Sequence, residues 1–154
     1  MKYFTPSEAV QLINSGESVY IQGSTSIPEV LCKALADRGD ELRDVTIYAA
    51  FAVGRCEAPF CRPEYKDSFN IKSLFVANNI RKWLAAGYGS TIPAFLGEIP
   101  GLFRDGTLPL DAVFLNVSPP NDEGYCSFGV SADLAVSAVE CAAKGIVQVN
   151  QAMP

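Results

Sequence analysis

The residues with the most chemical promise run from Leu115 to Gly129, Leu-Asn-Val-Ser-Pro-Pro-Asn-Asp-Glu-Gly-Tyr-Cys-Ser-Phe-Gly. An apolar strand must end at Pro119-Pro120, because proline cannot donate to a sheet ladder. The two prolines stiffen the exit, Gly124-Tyr125 permits a backbone turn, and Ser127-Phe128-Gly129 leads toward a helix start. A rigid strand exit, a polar turn and a helix start can hold backbone donors around a ligand. The plainer reading is a long strand-to-helix loop shaped only by its turn residues. A second stretch, Gly23-Ser24-Thr25-Ser26, places small side chains between a strand and a helix N-terminus. Free N–H groups there can approach an anion closely, or the stretch is an ordinary turn with a hydroxyl cap.

Other chemistries are excluded by what the sequence lacks. It contains no histidine, so Ser-His and Cys-His nucleophile pairs are impossible. The five cysteines are an odd number, which points to reduced thiols rather than a disulfide framework. Cys56 and Cys61 are the one close pair, their spacing is not that of a zinc site, and no metal is expected. No Walker A sequence or Gly-x-Ser-x-Gly elbow is present, and Gly87-Tyr88-Gly89 follows a helix, so it fails the dinucleotide fingerprint. The net charge of -5 argues against nucleic-acid binding. No run approaches the roughly 20 apolar residues of a membrane span, and residues 1–6 lack the apolar core of a signal peptide. The expectation is a cytoplasmic protein with neither nucleic acid nor membrane as partner.

The elements that must position these residues follow from patterning. Thr5-Pro6-Ser7-Glu8 is a capping box opening a helix to about Asn14, with Gly16 as its C-cap. Residues 18–21 form a strand, and Pro28 opens a helix that closes near Arg38-Gly39. Residues 45–51 form a strand covered on both faces. Residues 52–68 are a long loop, either a lid or interface or a surface excursion packed by Phe60, Tyr65 and Phe69. A strand at 71–76 precedes a helix capped by Asn78 or Asn79 and stopped at Gly87. A strand at 91–95, a helix at 98–104 and a strand at 111–117 follow. Ser131 or Asp133 caps a helix to about Ala143, Gly145 ends it, and residues 146–149 form a last strand. Strands alternating with helices predict an α/β domain, a mainly parallel open sheet with helices on both faces. Ligands then sit outside the carboxyl ends of the strands, at loops 23–28, 51–62, 77–79 and 118–129.

Taken in order, these segments resemble the acetyl-CoA hydrolase/transferase family. Residues 118–129 resemble its Ser-Pro-Pro-Asp…Gly-Tyr…Ser-Leu-Gly motif. Residues 93–100 and 108–112 resemble the segment before it, and Ser15-Gly16 through Gly23 and Pro28 resemble its N-terminal strand and turn. Residues 149–154 resemble the stretch where the first domain hands over to the rest. The match spans the whole chain. Two departures bear on acyl preference: the turn at 23–28 is rich in hydroxyls and carries Ile27, and Asn121 stands where relatives have an acidic residue.

The resemblance implies the N-terminal domain, residues 1–154, of a CoA-transferase. Such an enzyme moves CoA between an acyl-CoA and a small carboxylate of the acetate, butyrate or 4-hydroxybutyrate type. A glutamate of a second α/β domain carries the CoA as a thioester; CoA thioester is substrate, and no cofactor is bound permanently. This chain then holds no catalytic residue and is inactive alone; neither Glu123, a solvated turn carboxylate, nor Glu98 is assigned as nucleophile. Ser118, Pro119, Pro120, Gly124, Tyr125 and Ser127 would frame the acyl end, with Gly23, Ser24 and Asn78 as lesser contacts. The implied partners are acyl-CoA, a carboxylate, the C-terminal domain or a partner subunit, and further copies in a homo-oligomer. An apolar strand at 146–149 with no helix after it fits a fragment or a split subunit, or a chain ending on an edge strand. The alternatives are an acyl-CoA hydrolase of the same family and a non-catalytic α/β interaction subunit.

Overall fold

The computed structural model describes residues 2–50 and 59–154. Six strands are described: β1 (Ser18–Ile21), β2 (Val45–Ala49), β3 (Phe69–Ser73), β4 (Gly89–Thr91), β5 (Ala112–Val117) and β6 (Lys144–Val149). They form one sheet in the order β4-β3-β2-β1-β5-β6, and every pair is parallel. α1 (Pro6–Ala9) precedes β1, and the connections that parallel strands require carry α2 (Glu29–Ala36) between β1 and β2, α3 (Asn78–Ala85) between β3 and β4, α4 (Ile99–Arg104) between β4 and β5 and α5 (Ala135–Cys141) between β5 and β6.

Strand side chains alternate between two cores. Val19, Ile21, Ile47, Ala112 and Phe114 face one layer, where they meet Leu31 and Leu35 of α2 and Ile80 of α3. Tyr20, Tyr48, Val113, Leu115 and Val117 face the other, where they meet Ile99 and Phe103 of α4 and Ala135 and Ala138 of α5. The interior strand β5 is buried along its whole length, and the domain has three layers, with helices on both faces of the sheet. No described helix is long and apolar enough to cross a membrane.

The capping box forms as the sequence predicts: the Glu8 amide donates to Thr5 Oγ1 at 3.3 Å, and the Thr5 amide donates to Glu8 Oε2 at 2.8 Å. Several boundaries move. The first helix tightens to a 3-10 turn at Val10–Leu12 and ends there. Gly16, with φ +80°, is not its C-cap but turns the chain into β1, its amide donating to Arg43 O. The N-cap of α3 is Ala77 in an extended conformation; Asn78 is the first helical residue and makes no cap bond. Neither Ser131 nor Asp133 is the N-cap of α5, a position held by Leu134; Asp133 Oδ1 accepts from the Leu134 amide at 2.6 Å, one residue too early. Gly145 lies inside β6 rather than ending a helix, and the predicted strand at 91–95 is β4 at Gly89–Thr91. There a Cβ on Gly89 would stand 2.6 Å from Ile71 O, so only glycine lets β4 pair so closely with β3. Of the long loop, the part from residue 59 onward packs as an apolar excursion: the Phe60, Tyr65 and Phe69 rings meet edge to face at 4.9 and 5.9 Å. Its first part and the end of the predicted strand, residues 51–58, lie outside the described residues.

Candidate functional site

A parallel sheet in this order has its switch point between β1 and β5, since the chain leaves β1 toward β2 on one side and arrives at β5 on the other. The crevice at such a point, beyond the carboxyl ends of the strands, is where an open α/β sheet binds ligands. Residues 23–28 follow β1 and residues 118–129 follow β5, so the two stretches singled out by their chemistry flank that crevice.

Residues 118–129 form a pinched excursion. The Ser118 amide donates to Ser127 O at 3.0 Å, and the Ser127 amide returns a bond to Ser118 Oγ at 2.9 Å. The two serines therefore close the neck of the loop, and Pro119-Pro120 carries one limb away from the ladder. The tip is folded around Asn121. Its amide donates to Tyr125 O at 2.9 Å, and its Oδ1 accepts from the amides of Glu123 at 3.1 Å and Tyr125 at 2.9 Å. Gly124 sits at φ +86°, a region L side chains enter only with strain, so the turn requires glycine. Tyr125 projects into solvent, 71% exposed. Below the neck, the Gly129 amide donates to Ser127 Oγ at 3.0 Å.

On the other side of the crevice, Gly23 is buried and Ser24 half-buried, and Ser24 has φ +57°. A non-glycine residue in the left-handed region costs about 1–2 kcal/mol, and such strain concentrates where a loop is used. Two buried acceptors near this end of the sheet, Ser26 Oγ in the turn and Asn116 Oδ1 in β5, have no hydrogen-bond partner among the protein atoms.

Sequence reasoning passed over the residue that joins the two stretches. Gln22, directly after β1, is fully buried. Its Nε2 donates to Ser131 O at 2.6 Å and to Phe128 O at 3.2 Å, and its Oε1 accepts from the Asn116 amide at 2.8 Å. A glutamine closing an otherwise apolar strand was the available signal. Met153 was also passed over: buried to 9% exposure, it packs on Gly129.

The structure thus brings Ser118, Pro119, Pro120, Gly124, Tyr125 and Ser127 into one loop, and Gly23 and Ser24 across the crevice from it. Asn78 stands apart, exposed at the start of α3 after β3, two strands beyond β1 and so about 10 Å to the side. Glu98 accepts from the Phe95 amide at 3.0 Å, and Glu123 is an exposed turn residue. Among the described residues, no three Cys, Asp or Glu side chains are arranged to hold a metal ion. Cys32, Cys126 and Cys141 are free thiols. Phe95, Leu96 and Val130, on the loops that follow β4 and β5, are exposed apolar side chains.

Comparison with known proteins agrees with this geometry. The acetyl-CoA hydrolase/transferase N-terminal domain matches residues 1–154. A succinyl-CoA:acetate/propanoyl-CoA:succinate CoA transferase of Fasciola hepatica is 32% identical over 149 residues, covering 96% of this chain and 30% of that protein. A 4-hydroxybutyrate coenzyme A transferase of Clostridium kluyveri is 33% identical over 153 residues, covering 99% of this chain and 35% of that protein. Among solved structures, RipA from Yersinia pestis superposes with a TM-score of 0.88 at 29% identity, over 98% of this chain and 37% of its own. The chain therefore spans about a third of the length of the relatives it matches. With the profile matched from end to end and the crevice built as described, this chain belongs to the acetyl-CoA hydrolase/transferase family and forms its N-terminal domain.

Proposed function

We propose that this domain is one wall of a CoA-transferase active site and that its Ser118–Ser127 loop frames the acyl group. The observation that carries the reading is the pairing, at the β1/β5 switch point, of a strained small-residue turn with a rigid hairpin rim, in a domain about a third as long as its transferase relatives.

In the reaction, a glutamate of the second domain attacks the thioester carbonyl, forming an acyl-glutamyl anhydride and releasing CoA thiolate. The thiolate attacks the glutamyl carbonyl, giving a glutamyl-CoA thioester and freeing the first carboxylate. An incoming carboxylate attacks that thioester and displaces CoA thiolate again. The thiolate then takes the new acyl group and restores the glutamate. Splitting one exchange into four such steps keeps each barrier low. No step needs a histidine base, because carboxylate and thiolate are already nucleophiles.

This wall's part is shape. Ser118 and Ser127 spend their polar groups inside the loop, on each other's backbone, on Pro119 O and on the Gly129 amide, so the rim presents Pro119, Pro120 and the Tyr125 ring rather than a reactive group. Gly23 and Ser24 stand opposite, and Asn78 lies at the margin. Domain docking covers the exposed Phe95, Leu96 and Val130, and the assembled enzyme is a cytoplasmic homo-oligomer.

The test is exchange of CoA from butyryl-CoA to acetate, and from acetyl-CoA to butyrate or 4-hydroxybutyrate, by the whole protein and by residues 1–154 alone. The expected result is exchange by the whole protein and none by the domain. Turnover by the domain alone would overturn the division of labour, and no exchange by the whole protein would overturn the transferase reading.

A further inference from the structure

We infer that Gln22 is a positioning residue that locks the two walls of the crevice into one unit and so sets acyl-chain discrimination; the second half of this statement rests on the function proposed above. Backbone pairing between β1 and β5 ends where the Gln22 amide donates to Phe114 O at 3.0 Å. Two residues further along β5 the ladder is replaced by a side chain, with the Asn116 amide donating to Gln22 Oε1 at 2.8 Å. The other end of the same amide reaches across to the Phe128 and Ser131 carbonyls, the two that flank Gly129 and Val130 where the rim returns toward α5. Every hydrogen-bonding atom of the side chain is used, in a site with no solvent exposure. Gly23 and Ser24 follow Gln22 directly in the chain. A displacement of Gln22 therefore moves the strained turn and the base of the rim together.

Such a clamp matters because discrimination between carboxylates differing by one or two methylenes depends on sub-ångström wall positions, and a misplacement of about 1 Å costs on the order of 100-fold in rate. Only glutamine has the length and the mixed donor and acceptor ends this geometry uses.

The experiment compares wild-type whole protein with Gln22→Met, which keeps the volume and removes the amide. Gln22→Asn, one methylene short of its partners, serves if the methionine variant does not fold. Ser68→Ala is the control. It deletes another buried bond, Ser68 Oγ to Gly39 O at 2.5 Å, at the opposite end of the sheet. Hydrogen exchange reads the clamp itself: the Ser127 and Gly129 amides should exchange about tenfold faster in the Gln22 variants and unchanged in Ser68→Ala. The ratio of kcat/KM for butyrate over acetate reads the consequence. It cancels any loss of folded enzyme, and it should move about tenfold toward unity in the Gln22 variants only. Unchanged exchange, or an unchanged ratio in an enzyme that does transfer CoA, overturns the inference. A wild-type protein that transfers no CoA instead refutes the proposed function, and the clamp is then judged by hydrogen exchange.

Discussion

Alanine at Gly129 offers a sharp test of how the rim is held from the side of the chain that follows β6. Two costs can be separated. Gly129 has φ +71°, where an L side chain costs about 1–2 kcal/mol. A Cβ there would also stand 1.9 Å from Met153 Sδ and 2.5 Å from its Cγ, so the methionine must leave its seat. Met153 is 9% exposed, and burying a methionine stabilises by about 1.5–3 kcal/mol. Gly129→Ala should therefore cost about 2.5–5 kcal/mol, and Met153→Ala alone about 1.5–3 kcal/mol. In the Met153→Ala background the clash is gone, and Gly129→Ala should cost only the strain of about 1–2 kcal/mol. The double variant is then more stable than the sum of the singles by about 1.5–3 kcal/mol, a coupling well outside the additivity of independent sites. Urea unfolding of the four proteins, followed by far-UV circular dichroism, measures it. Additivity within about 0.5 kcal/mol would refute the claim that Met153 holds the rim.

Other perturbations follow from the same geometry. Ser24→Gly relieves the φ of +57° and should raise stability by about 0.5–1 kcal/mol, as should Asp44→Gly at φ +56° on the far end of the sheet; only the first should lower acyl transfer by the whole protein, and equal activity in both would remove Ser24 from the site. Burial opposes ionisation of Glu17, but bonds from Lys144 and Asn14 outweigh it and hold its carboxyl below 4.5. Its contribution to stability is thus present above that value and lost as pH falls through the lower folded-state value. Lys144→Met, which breaks the 2.6 Å bridge between half-buried side chains, should cost about 0.5–1 kcal/mol at pH 7 and progressively less through the acid limb; a constant cost from pH 7 to pH 2.5 in a urea titration would contradict the linkage. Thr5→Ala removes the capping box and should lower the thermal midpoint by a few degrees, with no change expected if the first helix contributes nothing.

The features legible in the sequence were those with a local cause. Pro119-Pro120 had to end a strand, the apolar run before it had to be buried on both faces, and Thr5 and Glu8 are within reach of each other by spacing alone. Asn78 misled because asparagine is a favoured cap, while the extended backbone that defines the N-cap fell one residue earlier, at Ala77. Gly145 misled because a glycine after a helix suggests a stop, whereas here it is carried in an edge strand. Gln22 shows in the sequence only as a polar residue closing an apolar strand; its role was hidden because its partners lie 94 to 109 positions away, and nothing within a window of its own sequence shows what the amide must satisfy.

Those distant partners explain why the rim can be both exposed and fixed. Its neck closes on itself through Ser118 and Ser127, but its base is held by Gln22 from beyond β1 and by Met153 from beyond β6. Neither hold exists until β1, β5 and β6 are paired, so the loop takes its order from the sheet rather than from its own sequence. The exposed tip contributes little to that order: Asp122 and Glu123 offer no side-chain anchor, and Asn121 folds the turn locally through its side-chain oxygen and its own backbone. Substitution at the tip can therefore change the chemistry presented to a ligand while leaving the wall in place, whereas substitution at Gln22, Gly129 or Met153 moves the wall without touching the face it presents. For the wall proposed above, that separation lets the side chains at Pro119, Pro120, Asp122, Glu123 and Tyr125 vary without cost to the core beneath them, while Asn121 and Gly124 are held by the turn itself.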